Sequence, residues 1–133
     1  MELANKTAFI TGGASGLGLA TARNFVEAGA NVCLYDMNEE SLQLAAKEFG
    51  SKASCFRGDV ADEVSVKEAI KETISSFGSI HINVNSAGIG GAARTVGRDG
   101  PMPLEKFEHI IRVNLIGTFN VLRLCAEAMQ VNE

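Results

Sequence analysis

Short apolar runs alternate with stretches of helical period along almost the whole chain. Thr7 to Thr11 is an apolar run that ends in glycines, which predicts a buried strand. Leu17 to Ala28 has only Gly18 to disturb a helix and stops at Gly29, a helix C-terminal signal. Asn31 to Asp36 is the second strand. Asn38 is placed to cap the next helix, with Glu39 and Glu40 at its positive end. In that helix Leu42, Ala45, Ala46 and Phe49 fall on one face, and Gly50 closes it. Ala53 to Asp59 reads as a third strand. Asp62 caps a third helix whose Val66, Ala69, Ile70, Thr73, Ile74 and Phe77 share a face. Ile80 to Ser86 is the fourth strand, and Ala87 to Pro103 is a glycine-rich loop without a period. From Leu104 to about Gln130 the pattern predicts one long helix, with Phe107, Ile111, Asn114, Thr118, Val121, Cys125 and Met129 as its stripe, Asn114 being a polar residue in its middle.

Strands alternating with helices imply a parallel sheet covered on both faces. Right-handed crossovers make it an α/β, Rossmann-type doubly wound sheet of about four strands, in the order 3-2-1-4. No second domain or linker shows in the pattern, so residues 1–133 are expected to form one nucleotide-binding domain, incomplete at its C-terminal side.

Composition removes other classes. Hydrophobic residues make up 46% of the 133 and charged residues 21%, an ordinary globular balance. A net charge of -4 disfavours nucleic acid, which needs a basic face for phosphates. No basic amphipathic stretch or membrane-spanning length appears, so no membrane partner is expected. Met1 to Lys6 is too short for a signal peptide. Cys33, Cys55 and Cys125 are widely spaced and odd in number, as free core thiols in a reducing compartment would be. His81 and His109 lack metal-ligand spacing, and no metal is expected.

The first strand runs into Thr11-Gly-Gly-Ala-Ser-Gly-Leu-Gly18. A strand, a glycine loop and a helix start form an anion cradle: the backbone approaches a pyrophosphate closely, and the helix N-terminus offers free N–H donors. Gly12, Ser15, Gly16, Leu17 and Gly18 are the candidate residues. Asp36 ends the second strand 18 residues after Gly18, near the ~20 expected of an acid that binds the adenosine ribose hydroxyls. A carboxylate there repels a 2′-phosphate, and positions 14, 15 and 37 carry no basic residue to attract one. The expected cofactor is therefore NAD rather than NADP. A Walker-type Gly-Lys-Ser/Thr is absent.

With Gly12-x-x-x-Gly16-x-Gly18, Asp59-Val60, Asn85-Ser-Ala-Gly88 and Asn114-Leu-Ile-Gly117, the chain resembles the short-chain dehydrogenase/reductase family over essentially its whole length. Ile10 to Ala22, Ala87 to Ile89 and Asn114 to Arg123 are similar to its type II 3-hydroxyacyl-CoA, or 17β-hydroxysteroid, dehydrogenases. The resemblance implies that the Asp59 carboxylate and the Val60 N–H meet the adenine. It implies that Asn85, Ser86, Ala87 and Gly88 lie beside the cofactor. It gives Asn114 a catalytic role, holding a water that links to a catalytic lysine. His81 and Asn83 depart from the family, which has aspartate and an aliphatic residue there; Asn83 would be a polar side chain in a buried strand.

The resemblance further implies hydride exchange with NAD, interconverting a secondary alcohol and a ketone of 3-hydroxyacyl-CoA or hydroxysteroid type. Family chemistry uses a serine and a Tyr-x-x-x-Lys pair. Here the only tyrosine is Tyr35, inside the second strand and assigned to packing, and no serine follows Asn114. The expectation is a cofactor half that is inactive alone, the alternative being an inactive NAD-binding or dimerisation fragment. Pairing of copies through the helix from Leu104 to Gln130 is expected, as are an open edge on the fourth strand and marginal stability. The setting is intracellular: cytoplasmic, with mitochondrial as the alternative.

Overall fold

The structure of the protein, a computed structural model, describes residues 2–132. Met1 and Glu133, the outer bounds of the expected domain, lie outside the described residues. Strands β1 (Thr7–Thr11), β2 (Asn31–Asp36), β3 (Ala53–Arg57) and β4 (Ile82–Asn85) form one parallel sheet in the order β3-β2-β1-β4, as expected. Helices α1 (Gly16–Glu27), α2 (Glu39–Phe49) and α3 (Glu63–Phe77) connect them.

Alternation along the central strands sends neighbouring residues to opposite faces. Ala8, Ile10, Val32 and Leu34 pack with Ala22, Leu42 and Ala45 of α1 and α2. Phe9, Cys33 and Tyr35 pack on the other face with Val66, Ala69 and Ile70 of α3 and with Val121, Leu124 and Cys125 further along. Each fully buried large apolar side chain contributes about 1.5–3 kcal/mol of transfer free energy. Burial of the free thiols Cys33 and Cys125 pushes both up to about 12, which keeps them protonated.

The outer strands are shorter than their apolar runs predict. β3 stops at Arg57 because the chain turns there. Gly58 N donates to the Asp36 carbonyl at 3.0 Å, and the Asp59 carboxylate accepts from Ala61 N at 2.9 Å, so Asp59 belongs to a turn. β4 is regular only over Ile82–Asn85. Its ladder still reaches further, from His81 N to the Thr7 carbonyl and from Ser86 N to the Thr11 carbonyl. Among the described residues β4 is a sheet edge and only half-buried.

That position accommodates its polar residues. Asn83 donates to the Phe9 carbonyl at 3.2 Å and accepts from Asn85 Nδ2 at 2.7 Å. His81 accepts at Nδ1 from Thr7 N at 3.1 Å, while Nε2 lies 3.2 Å from Ser79 Oγ. Desolvation, and then the Lys6 charge, lower the His81 pKa and favour the neutral ring that this bond requires.

The segment after Ala87 is more structured than its composition predicts. It holds a small hairpin of β5 (Val96–Gly97) and β6 (Gly100–Pro101). The expected single long helix is three pieces: α4 (Leu104–Ile111), a π-helical turn (Arg112–Gly117) and α5 (Thr118–Met129). A π turn widens the backbone and shifts the helical phase. The buried stripe accordingly runs through Val113, Gly117, Asn120, Val121, Leu124 and Cys125, while Phe107 and Asn114 are exposed. No helix of the described residues is long and apolar enough to cross a membrane.

Candidate functional site

All the β-to-α turns of a parallel sheet lie at its carboxyl edge, and the glycine loop opens there. Gly12 takes φ 61° directly after β1. A Cβ on it would stand 2.8 Å from Ala87 N and 2.9 Å from the Ser86 carbonyl. A Cβ on Gly18 would run into the Gly12 carbonyl. Loop, helix and the end of β4 are thus in close backbone approach.

Ser15 is the N-cap of α1 in extended conformation (φ -155°, ψ 169°), but its hydroxyl makes no capping bond, and no acid occupies the first turn. The first N–H groups of the helix are therefore left without a capping side chain or an acid of the helix's own first turn. Beside the loop, Asp36 Oδ2 accepts from Ala14 N at 3.1 Å and Oδ1 from Asn38 N at 3.0 Å. A carboxylate has roughly four acceptor positions, so Asp36 is held rigidly and keeps capacity for an incoming diol.

A cavity of about 360 Å³ joins these parts. Its walls include Gly12, Ser15, Gly16, Leu17 and Gly18 from the loop and α1, Asp36 from β2, Asp59 and Val60 from the β3–α3 turn, and Ser86, Ala87 and Gly88 after β4. The wall thus combines the backbone donors of the helix start with the carboxylates of Asp36 and Asp59. Two expected residues stand off the wall. Asn85 lies within β4 with its amide spent on Asn83, and its buried Oδ1 has no partner. Asn114 is exposed rather than buried. Its Oδ1 accepts from Ile89 N at 2.8 Å and its Nδ2 donates to the Ile89 carbonyl at 2.9 Å, which fastens the π turn to the loop after β4.

Tyr35, Met37, Gly58, Ile89 and Val113 also line the cavity, beyond the expected residues. Each adjoins a residue singled out from the sequence, so proximity along the chain was the available signal. Tyr35 packs on Phe9 with ring centroids 5.8 Å apart, and its hydroxyl is 3.0 Å from the Asp59 carbonyl and 2.6 Å from Ser65 Oγ. Burial raises its pKa, with the Ser65 hydrogen bond acting the other way, so the phenol remains a donor. The buried polar residue of the last helix is Asn120, which donates to the Val60 carbonyl at 2.8 Å. Its signal was masked because the helical phase changes at the π turn. Among the described residues no cluster of His, Cys, Asp or Glu is arranged to hold a metal ion.

The family model for short chain dehydrogenases matches residues 6–133. A 3-hydroxyacyl-CoA dehydrogenase type-2 of Bos taurus is 43% identical over 128 residues, 95% of this chain and 49% of that protein. A 2,5-dichloro-2,5-cyclohexadiene-1,4-diol dehydrogenase of Sphingobium indicum is 35% identical over 96% of this chain and 50% of its own length. Among solved structures, a 3-ketoacyl-(acyl-carrier-protein) reductase of Brucella melitensis complexed with NADH superposes with a TM-score of 0.85 at 32% identity. It covers 95% of this chain and 51% of its own. The chain thus spans about half the length of the curated relatives it matches.

Proposed function

The chain belongs to the short-chain dehydrogenase family, and on that premise we propose that it is the NAD-binding part of an oxidoreductase interconverting secondary alcohols and ketones. The carrying observation is the N-terminus of α1, without a side-chain cap or an acid in its first turn, opening on a cavity that Asp36 also lines. The pyrophosphate lies on the loop from Gly12 to Gly18, with the Ser15 hydroxyl and the first α1 amides as donors. The Asp36 carboxylate accepts from the adenosine ribose and selects NAD over NADP by repelling a 2′-phosphate. Asp59 and Val60 meet the adenine, and Ser86 to Gly88 flank the nicotinamide side. NAD, when bound, supplies the hydride acceptor.

The substrate class proposed is the 3-hydroxyacyl-CoA or hydroxysteroid type, supported by the likeness to the type-2 dehydrogenase. Asn114 is assigned to the reaction through the loop it fastens at Ile89. Within these 133 residues the only tyrosine is the buried Tyr35, so the chain alone is expected to hold NAD without turnover. Copies pair through Leu104 to Gln130, where Leu115, Ile116, Phe119 and Leu122 are exposed apolar side chains. Free thiols fit an intracellular setting, cytoplasmic or mitochondrial.

Calorimetric titration of the chain with NAD⁺ and with NADP⁺, followed by an absorbance assay with a 3-hydroxyacyl-CoA, tests this reading. NAD⁺ binding without NADH formation is expected. A preference for NADP⁺ overturns the role of Asp36, and NADH formation overturns the inactivity of the chain by itself.

A further inference from the structure

Two consecutive peptides of the Asp59–Val60–Ala61 turn are held by side chains from distant elements. The Asp59 carbonyl accepts from Tyr35 Oη at 3.0 Å and from Asp62 N at 2.9 Å. The Val60 carbonyl accepts from Asn120 Nδ2 at 2.8 Å. Since a carbonyl cannot donate, the single Tyr35 proton goes to Asp59, and the 2.6 Å contact must be Ser65 Oγ donating to Tyr35. On the other side, Arg123 Nη2 donates to Asn120 Oδ1 at 2.7 Å and meets Glu63 Oε2 at 3.3 Å. Asn120 is only 6% exposed, so it is oriented by these bonds rather than by solvent.

Peptide planarity gives these bonds a consequence for the cleft. In a trans peptide the C=O and the following N–H point in opposite directions, and there are no cis bonds among the described residues. The Asp59 carbonyl is turned to the Tyr35 hydroxyl, so the Val60 N–H of the same peptide points the opposite way, and Val60 is among the residues that line the cavity. Gly58 makes the approach possible, because a Cβ there would collide with the Tyr35 hydroxyl and Ser65 Oγ. We propose that Tyr35, supported by Ser65, is a positioning residue that aims the Val60 amide at the base of the bound dinucleotide, with Asn120 holding the next peptide in register. This rests on the reading of Asp59 and Val60 as the adenine end.

Adenine presents an acceptor at N1 and a donor at the 6-amino group, complementary to the Val60 N–H and the Asp59 carboxylate. Hypoxanthine reverses both. The test is the ratio of affinities of the full chain for NAD⁺ and for nicotinamide hypoxanthine dinucleotide, read by calorimetry. Wild type is expected to prefer NAD⁺, and Tyr35→Phe, which keeps the ring on Phe9, to reduce that preference roughly fivefold, the worth of one aimed hydrogen bond. Ser65→Ala is expected to move the ratio the same way by less, and serves if Tyr35→Phe does not fold. A purely structural Tyr35 would lower the melting temperature and leave the ratio unchanged, and that result overturns the inference. If wild type binds both dinucleotides equally, the adenine reading itself fails and the inference falls with it.

Discussion

Three helices begin at the same carboxyl edge of the sheet, and their first turns are built in opposite ways. α2 and α3 are closed by their own sequence. Asn38 Oδ1 accepts from Ser41 N, and Asp62 Oδ1 accepts from both Val64 N and Ser65 N. Each also carries glutamates in its first turn, at 39 and 40 in α2 and at 63 in α3. α1 follows its N-cap Ser15 with Gly16, Leu17 and Gly18, makes no side-chain cap and has no acid in its own first turn. The same physics, free N–H groups at a positive dipole end, is satisfied by a side chain in two cases and not in the third. This contrast distinguishes a binding site from a stable turn better than the glycines do alone.

Substitutions at the two kinds of terminus should divide between binding and stability. The largest effect is expected at Gly18→Ala, where the new methyl meets the Gly12 carbonyl. Forcing loop and helix apart should cost about 1–3 kcal/mol in denaturant unfolding, and NAD⁺ affinity should fall below detection in calorimetry. Retained affinity would mean that the loop does not cradle the ligand. Next is Asp36→Ala, expected to weaken NAD⁺ binding roughly tenfold and to narrow the gap to NADP⁺. It should also lower stability, because the Ala14 and Asn38 amides lose their acceptor.

Asn38→Ala and Asp62→Ala should each cost about 1 kcal/mol of stability while leaving NAD⁺ affinity nearly unchanged. Ser15→Ala should do the reverse, weakening binding severalfold with no change in the melting temperature of the free protein. If it destabilises the free protein as Asn38→Ala does, the contrast between the termini collapses. The smallest effect belongs to the opposite edge of the sheet. The lowered pKa of His81 means that the fold favours its neutral form. Its contribution is therefore complete above the unfolded value near 6.5 and is lost as pH falls through and below it. A slight drop in melting temperature from pH 7.5 to 5.5, absent in His81→Asn, would report it.

Much of this organisation is legible in the chain. The order of strands and helices, the caps at Asn38 and Asp62, and the glycine loop with Asp36 opposite are local signals of period, side-chain type and spacing. The extents of β3 and β4 are less legible. Apolar character continues past Arg57 and begins before Ile82, whereas regular pairing depends on the strand alongside. Asn114 and Asn120 show the sharper failure. A constant helical period puts Asn114 on the buried stripe, but the π turn at Arg112–Gly117 changes the phase, exposes Asn114 and buries Asn120 against the Val60 carbonyl.

Local order along the chain is enough to specify an α/β pattern whose first strand ends in a glycine loop and whose second ends in a single acid, because those features rest on neighbours along the backbone. Only the tertiary structure decided that Tyr35 and Asn120, from elements 85 residues apart, hold consecutive carbonyls of one turn. Of the three helices that follow β1, β2 and β3, α1 alone has no side-chain cap. A hydrogen bond depends on direction within a few tenths of an ångström, and directions between distant segments exist only once the sheet has brought them together.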